Sequence, residues 1–487
     1  MNIIIISVII MYGIKFYNRR NELKFLSNAS KPFLAIIYGR RRVGKTRLVL
    51  EFCRGRKFIY FFVNPEKNSK LLLEEYSEQL KRCMDLPSYI RPESWKEFFK
   101  LLFDYDGIVV FDEFQWFTRV DASVPFELQR FWDITEKKPS IIICGSIIGL
   151  IKSLFEGYQS PLHGRADVRL ELKPLEITAI LEWLKDLNIS RLEEQVKVYL
   201  VFGGIPFYYT LMQKYSVRSL EEALRKLVFE EHAPLRNELG NILREAFGKD
   251  YHTYASILSA IAEGNCRLSE IANVVGLKPT SLSPYLKDLA ELLDIVEPEL
   301  PAGRKKGALY VINDFFTRFW FKYIYKNRGL LEYNWKRVYE KCLQTLNTYF
   351  GEAFELLARE IVKKLARENK LPFTPTLISK YYGKSPQGTF DIDILAYNVK
   401  KKTTLFIEAK WSEIDYNRAL ETINTLIEKS VYVKIKPVKK YYGLIAKRIL
   451  NKEELRRKGI IAIDINDLKN LPNFRKINDN PFNRHLF

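Results

Sequence analysis

The chain has 487 residues, 47% of them hydrophobic, with a formal net charge of +20 and a pI of about 9.4. That composition excludes a disordered chain, and the length leaves room for about three domains, each with its own core. The basic excess favours a polyanionic partner, nucleic acid before a membrane surface. Five cysteines without paired spacing (Cys53, Cys83, Cys144, Cys266, Cys342) argue against a disulfide framework or a zinc site and fit a reducing cytoplasm.

Met1 to Met11 is nearly all apolar, but it is too short to span a bilayer and lacks a basic leader and a small-residue cleavage site. It reads as a docking strand or as sequence ahead of a true start at Met11, not as a membrane anchor. From residue 12 to 175, short apolar runs alternate with helical segments. The expected strands are 33–38, 57–63, 107–111, 140–144 and 167–172. The pattern is an α/β fold, a parallel sheet with helices on both faces.

The first strand leads into Gly39-Arg40-Arg41-Arg42-Val43-Gly44-Lys45-Thr46, which fits G-x-x-x-x-G-K-[ST]. The glycines let backbone N–H groups wrap phosphate oxygens. Lys45 reaches the β/γ-phosphates of ATP as a point charge, and the Thr46 hydroxyl can hold Mg²⁺. An apolar strand before the loop and a helical pattern from Arg47 to Cys53 supply the setting this motif needs. The run from Ile108 to Phe111 then delivers Asp112 and Glu113 to the same sheet edge. Asp112 can orient Mg²⁺, and Glu113 can polarise an attacking water. The strand at 140–144 ends in Gly145-Ser146, which places Ser146 between the two phosphate-binding strands, where it can sense the γ-phosphate. Arg165, in Pro161-Leu162-His163-Gly164-Arg165, reads either as an arginine finger or as an ordinary surface arginine.

Residues 176–245 read as a helical subdomain. Within it, Phe202-Gly203-Gly204-Ile205-Pro206 forms a turn whose Pro206 can pack on a flat ligand. Residues 246–345 read as a winged helix followed by an aromatic helical linker. Leu268 to Leu277 is a short helix with a glycine turn, and Thr280 to Leu293 is a longer helix. Glu297–Leu300 and Ala308–Val311 flank the basic tip Gly303-Arg304-Lys305-Lys306-Gly307. This is the layout of a helix-turn-helix reader with a wing that can touch phosphates. Winged helices also make protein contacts, and the basic composition favours DNA. The aromatic run Phe315, Phe316, Phe319, Trp320, Phe321, Tyr323 and Tyr325 is expected to be core or an inter-domain seam.

Residues 346–487 read as a further α/β domain. Glu355 lies on a helix expected from Gly351 to Asn369. The strand Phe390–Ala396 carries Asp391 and Asp393 on one face, and after a lysine turn at 399–402 the strand Thr404–Lys410 carries Glu408 and Lys410 on one face. Asp393, Glu408 and Lys410 should therefore meet, with Glu355 available from the helix. Carboxylates beside a lysine can bind Mg²⁺, here through Asp393 and Glu408, and can activate water for phosphodiester cleavage. A solvated, salt-bridged strand pair is the other reading.

In combination, these residues resemble the archaeal ATPases of the STAND branch of P-loop NTPases, close to AAA+, over roughly residues 14–330. Phe16 to Leu23 matches the group's N-terminal box. The resemblance places that box near the adenine and makes Arg19 a candidate nucleotide contact. The phosphate loop, Asp112-Glu113, Gly145-Ser146, Gly164-Arg165 and the turn at Gly204–Pro206 follow in family order. The C-terminal third resembles the domain of unknown function that often follows these ATPases and is related to PD-(D/E)xK nucleases, through Glu355, Asp393, Glu408 and Lys410. The resemblance implies a restriction-endonuclease-like tail and a cytoplasmic, Mg²⁺-dependent ATPase acting as a switch or remodeller on DNA. It implies no membrane partner and leaves a homo-oligomer open. The other reading is a slow ATP-binding switch whose winged helix and inert tail serve as protein- or DNA-binding modules.

Overall fold

Four apolar runs and one alternating strand form the first sheet. The structure, a computed structural model, describes residues 15–301, 307–473 and 477. The apolar start Met1–Met11 and the basic tip Arg304-Lys305-Lys306 lie outside the described residues. The chain divides into two compact units. One comprises the described residues up to Leu175 with Ile205–Thr210 and Glu291–Asp294. The other comprises Glu176–Gly204, Leu211–Ala290 and the described residues from Ile295 onward.

In the first unit β1 (Leu34–Tyr38), β2 (Phe58–Phe62), β3 (Ile108–Asp112), β4 (Ser140–Gly145) and β5 (Val168–Glu171) run parallel in the order β2-β3-β4-β1-β5. Strands β3 and β4 are buried along their whole length. That is why they read as unbroken apolar runs rather than alternating ones. β4 lies between β1 and β3, so the ends of all three strands share one edge. Helices pack on this sheet through an aromatic cluster in which Phe61 stacks on Phe111 and meets Tyr76 and Phe98. Asn68 and Ser94 cap the helices Ser69–Met84 and Trp95–Leu102 by accepting backbone N–H bonds.

The second unit is mixed. Helices Leu268–Val275 and Pro279–Glu291 are followed by an antiparallel hairpin of β6 (Val296–Glu299) and β7 (Leu309–Ile312). Phe315, Phe316, Phe319, Trp320, Phe321 and Tyr323 are buried, so the aromatic stripe is core. A helical segment then runs from Arg328 to Arg367, divided into two helices at Asn334, whose backbone is not helical, so that the longer helix lies after it. The expected start at Gly351 is thus an interior position, and residue 346 also lies inside this helix. Val338, Cys342, Leu346, Tyr349, Phe350, Ala353 and Phe354 keep a helical stripe of buried residues across the glycine. Packing of that stripe outweighs the cost of about 1 kcal/mol that glycine imposes in a helix. The Tyr349 hydroxyl bonds the carbonyls of Leu200 and Phe315, while Phe350 and Phe354 pack on Trp411.

A second sheet follows, built from β8 (Leu377–Ser385), β9 (Gly388–Asn398), β10 (Thr403–Ile414), β11 (Lys439–Ile449) and β12 (Ile461–Asp464), in the order β12-β11-β10-β9-β8. β8, β9 and β10 are an antiparallel meander, and β10, β11 and β12 run parallel. The helix Tyr416–Val431 makes the crossover that a parallel β10–β11 pair requires. Among the described residues no helix is long and apolar enough to cross a membrane.

Candidate functional site

The loop after β1 depends on two glycines. A Cβ on Gly39 would stand 2.3 Å from the carbonyl oxygen of Leu172, and Gly44 has φ +96 at the N-cap of the helix Lys45–Cys53. A helix N-terminus behind a Gly-rich turn is a ready anion site. The Lys45 ammonium donates to the carbonyls of Gly39 (3.0 Å) and Arg40 (3.1 Å) and is only 5% exposed. Burial lowers its pKa, against the pull of Glu113 and Asp112. Val43 is buried, and the Arg42 guanidinium lies 3.9 Å from the ring centroid of Phe207. Pro206 is also at the loop, its Cγ 3.7 Å from where a Cβ on Gly44 would be. Arg19 donates to the carbonyls of Val43 (3.4 Å) and Lys173 (2.5 Å) and pairs with Glu22 at 2.9 Å. The N-terminal box therefore touches the loop.

Asp112 ends β3 buried and fully engaged. The Thr46 hydroxyl donates to its Oδ2 at 2.8 Å, and the Glu113 N–H donates to its Oδ1 at 3.0 Å. The Tyr60 hydroxyl donates to Oδ2 as well. Burial and then Asp112 hold the Tyr60 hydroxyl above its ordinary pKa, so it stays a donor. Glu113 turns out of the strand with φ 57. Its Oε2 accepts from the Ser146 hydroxyl at 2.6 Å and from the Gln115 amide at 2.5 Å. Gly39 to Thr46, Asp112, Glu113 and Ser146 thus converge on one edge, as the sequence suggested.

Tyr60 and Gln115 were missed. Tyr60 stands two residues before the β2 position paired with Asp112, so it shares that face, but strand pairing cannot be read locally. Gln115 had a signal, a polar residue flanked by Phe114 and Trp116, and it is fully buried. Arg165 makes a two-pronged contact with Asp133, at 2.8 and 2.7 Å, and that hydrogen-bonded partner raises its pKa. None of these partners belongs to the phosphate loop.

In the second unit the expected carboxylates do meet. β9 and β10 pair antiparallel with Ile394 opposite Ile407, which brings Asp393 beside Glu408. Asp393 is 6% exposed, and its Oδ2 accepts from the Ala409 N–H at 2.9 Å. Lys410 pairs with Glu408 Oε1 at 2.8 Å, and Lys429 lies 3.7 Å from Oε2. Burial first, and Asp393 second, raise the pKa of both Glu355 and Glu408.

At the centre stands a residue the sequence reading did not include. Lys380 is 2.8 Å from Glu355, 3.0 Å from Asp391 and 3.5 Å from Asp393. The β8–β9 register shifts between Ser379 and Tyr381, and such a bulge re-aims a side chain. Burial would lower the Lys380 pKa, but Glu355 and Asp393 outweigh it and hold it above its ordinary value. Among the described residues, no group of three or more His, Cys, Asp or Glu side chains is arranged to hold a metal ion.

Comparison with known proteins adds likenesses of three kinds. Residues 16–212 match a family described as an ATPase domain predominantly from Archaea, and residues 320–423 match one described as "Archaea bacterial proteins of unknown function". The uncharacterized protein MJECL04 of Methanocaldococcus jannaschii is 32% identical over 446 residues, covering 90% of this chain and 97% of that one. The uncharacterized ATP-binding protein MJ0423 of the same organism is 53% identical over 51 residues, 10% of this chain and 86% of that one. Among solved structures, the Walker-type ATPase paby2304 of Pyrococcus abyssi shares the fold at a TM-score of 0.51 and 21% identity, over 63% of this chain and 96% of that one.

Proposed function

The chain belongs to the family of MJECL04 and joins a domain of the archaeal ATPase type to a C-terminal domain of unknown function, and on that premise we propose that it is a Mg²⁺-dependent ATPase working as a nucleotide-driven switch on DNA. The observation that carries this reading is the double pairing at one sheet edge, Thr46 with Asp112 and Ser146 with Glu113.

The Thr46 hydroxyl and the Asp112 carboxylate are the oxygens that would hold Mg²⁺, and they already lie 2.8 Å apart. Bound there, the ion supplies charge compensation for the phosphates. Lys45 and the loop N–H groups bind phosphate oxygens, and Arg19 and Pro206 contact the rest of the nucleotide. Glu113 orients the attacking water and takes up its proton, with Oε2 fixed by two donors. Arg165 would act as a finger only by leaving Asp133. The net charge of +20 and the hairpin that follows two short helices support DNA as the partner, with the unit read as a winged helix. For the tail, the three carboxylates around Lys380 favour an inert nuclease-like fold that binds nucleic acid over one that cleaves it.

The test is steady-state ATP hydrolysis and nucleotide binding, with and without DNA. Lys45→Ala should weaken binding. Glu113→Gln should bind ATP normally and lose about 10²–10⁴ in turnover, the range for a general base. Equal turnover in wild type and Glu113→Gln overturns the assignment of Glu113. An unchanged rate on adding DNA overturns the switch.

A further inference from the structure

The carboxylates of the second sheet converge on a lysine rather than on room for an ion. A lysine ammonium has three donors and no acceptor. Lys380 directs its ammonium at three carboxylates, at 2.8 Å (Glu355), 3.0 Å (Asp391) and 3.5 Å (Asp393). A divalent ion bound by these oxygens would need them at about 2.0–2.6 Å from one centre, which is the space the ammonium fills.

Two further oxygens are hydrogen-bonded, Asp393 Oδ2 by the Ala409 N–H and Glu408 Oε1 by Lys410, while the buried Glu408 Oε2 has no hydrogen-bond partner and lies 3.7 Å from the Lys429 ammonium. Four carboxylates (Glu355, Asp391, Asp393, Glu408) thus face three lysines (Lys380, Lys410, Lys429). Adding a metal to this set would place two cations side by side in a half-buried site. Removing Lys380 would leave two uncompensated negative charges, which one divalent ion balances.

We infer that Lys380 is the resident cation of this site, and that the cluster, complete without a divalent ion, admits one only when Lys380 is removed. The register shift, which sets Asp393 and Ile394 of β9 against Lys380 alone on β8, is the device that brings lysine and aspartate together. The inference is independent of the ATPase reading, since no step of it involves nucleotide.

The experiment is Mn²⁺ titration of the full-length, nucleotide-free protein, with free Mn²⁺ followed by electron paramagnetic resonance. Wild type should show no site that Asp393→Asn removes. Lys380→Met should gain one bound Mn²⁺ per chain and lose it again in the double variant Lys380→Met/Asp393→Asn. Lys380→Arg keeps the charge and should gain none. Melting curves serve as a second readout, with Mn²⁺ raising the Tm of Lys380→Met and leaving wild type unchanged. If Lys380→Met does not melt cooperatively, Lys380→Gln takes its place. A wild-type Mn²⁺ site abolished by Asp393→Asn overturns the inference. So does a folded Lys380 variant that gains no site.

Discussion

Ser146 and Glu113 meet at the ends of neighbouring parallel strands, the serine hydroxyl donating to Glu113 Oε2 at 2.6 Å. Gln115 donates to the same oxygen at 2.5 Å. Glu113 sits in a left-handed turn, so its direction rests on these two donors more than on its backbone.

Ser146→Ala and Gln115→Ala should therefore slow hydrolysis while leaving ATP affinity nearly unchanged. A hydrogen bond to a charged group contributes about 1.5–3 kcal/mol, so each substitution should cost about tenfold to hundredfold in kcat. Rapid-quench turnover alongside equilibrium nucleotide binding reads both quantities. A proportional loss of binding would mean that Ser146 holds the nucleotide rather than the glutamate.

Arg359 and Glu299 form a buried pair in the second unit, 5% and 8% exposed. Arg359→Met should strand a charged carboxylate and destabilise the protein by about 3–5 kcal/mol. Adding Glu299→Leu should restore most of that loss. Denaturant melts of the two variants make the comparison, and equal stability of the single and double variants would contradict it.

Glu360 accepts a hydrogen bond from Tyr199 at 3.0 Å, and burial pushes its carboxyl from 4.5 up to about 7. An acid raised in the folded state binds more protons folded than unfolded between those two values. Its ionisation penalty is absent below about 4.5 and complete above about 7, so stability falls as pH rises through that window. Glu360→Gln should flatten this part of the Tm-against-pH curve. An unchanged curve would show that Glu360 titrates normally.

Replacing Arg304, Lys305 and Lys306 by alanine should weaken DNA binding about equally for all sequences. It should also flatten the salt dependence by about 0.9 in slope for each phosphate that is no longer neutralised. Fluorescence anisotropy across a salt series measures this, and an unchanged slope would assign DNA binding to other lysines and arginines.

The first sheet was legible because its three central strands, β1, β3 and β4, are buried almost throughout. Each of the five expected strands lies within one residue of the observed one, since an apolar run with a phosphate loop or an acidic pair at its end marks its own limits. Asp393, Glu408 and Lys410 were legible for a related reason, the two-residue period of a hairpin. Tyr60 and Lys380 were not, because each reaches its site through a strand pairing or a bulge that no local pattern announces. In the segment Arg328–Arg367, Gly351 reads locally as a helix start, but tertiary packing carries the helix through it, so the sequence pattern alone divides a continuous element.

That helix bears on how the chain could have been assembled from parts. Its middle turns bind the aromatic helices through Tyr349, and the next residues hold the second sheet through Phe350, Phe354 and Trp411. A graft made at residue 346 would sever a continuous rod and expose both of its packing faces. The C-terminal sheet is therefore not a transplantable cassette. Recombination that moves it intact must carry the aromatic helices along, with the natural seam ahead of Phe315.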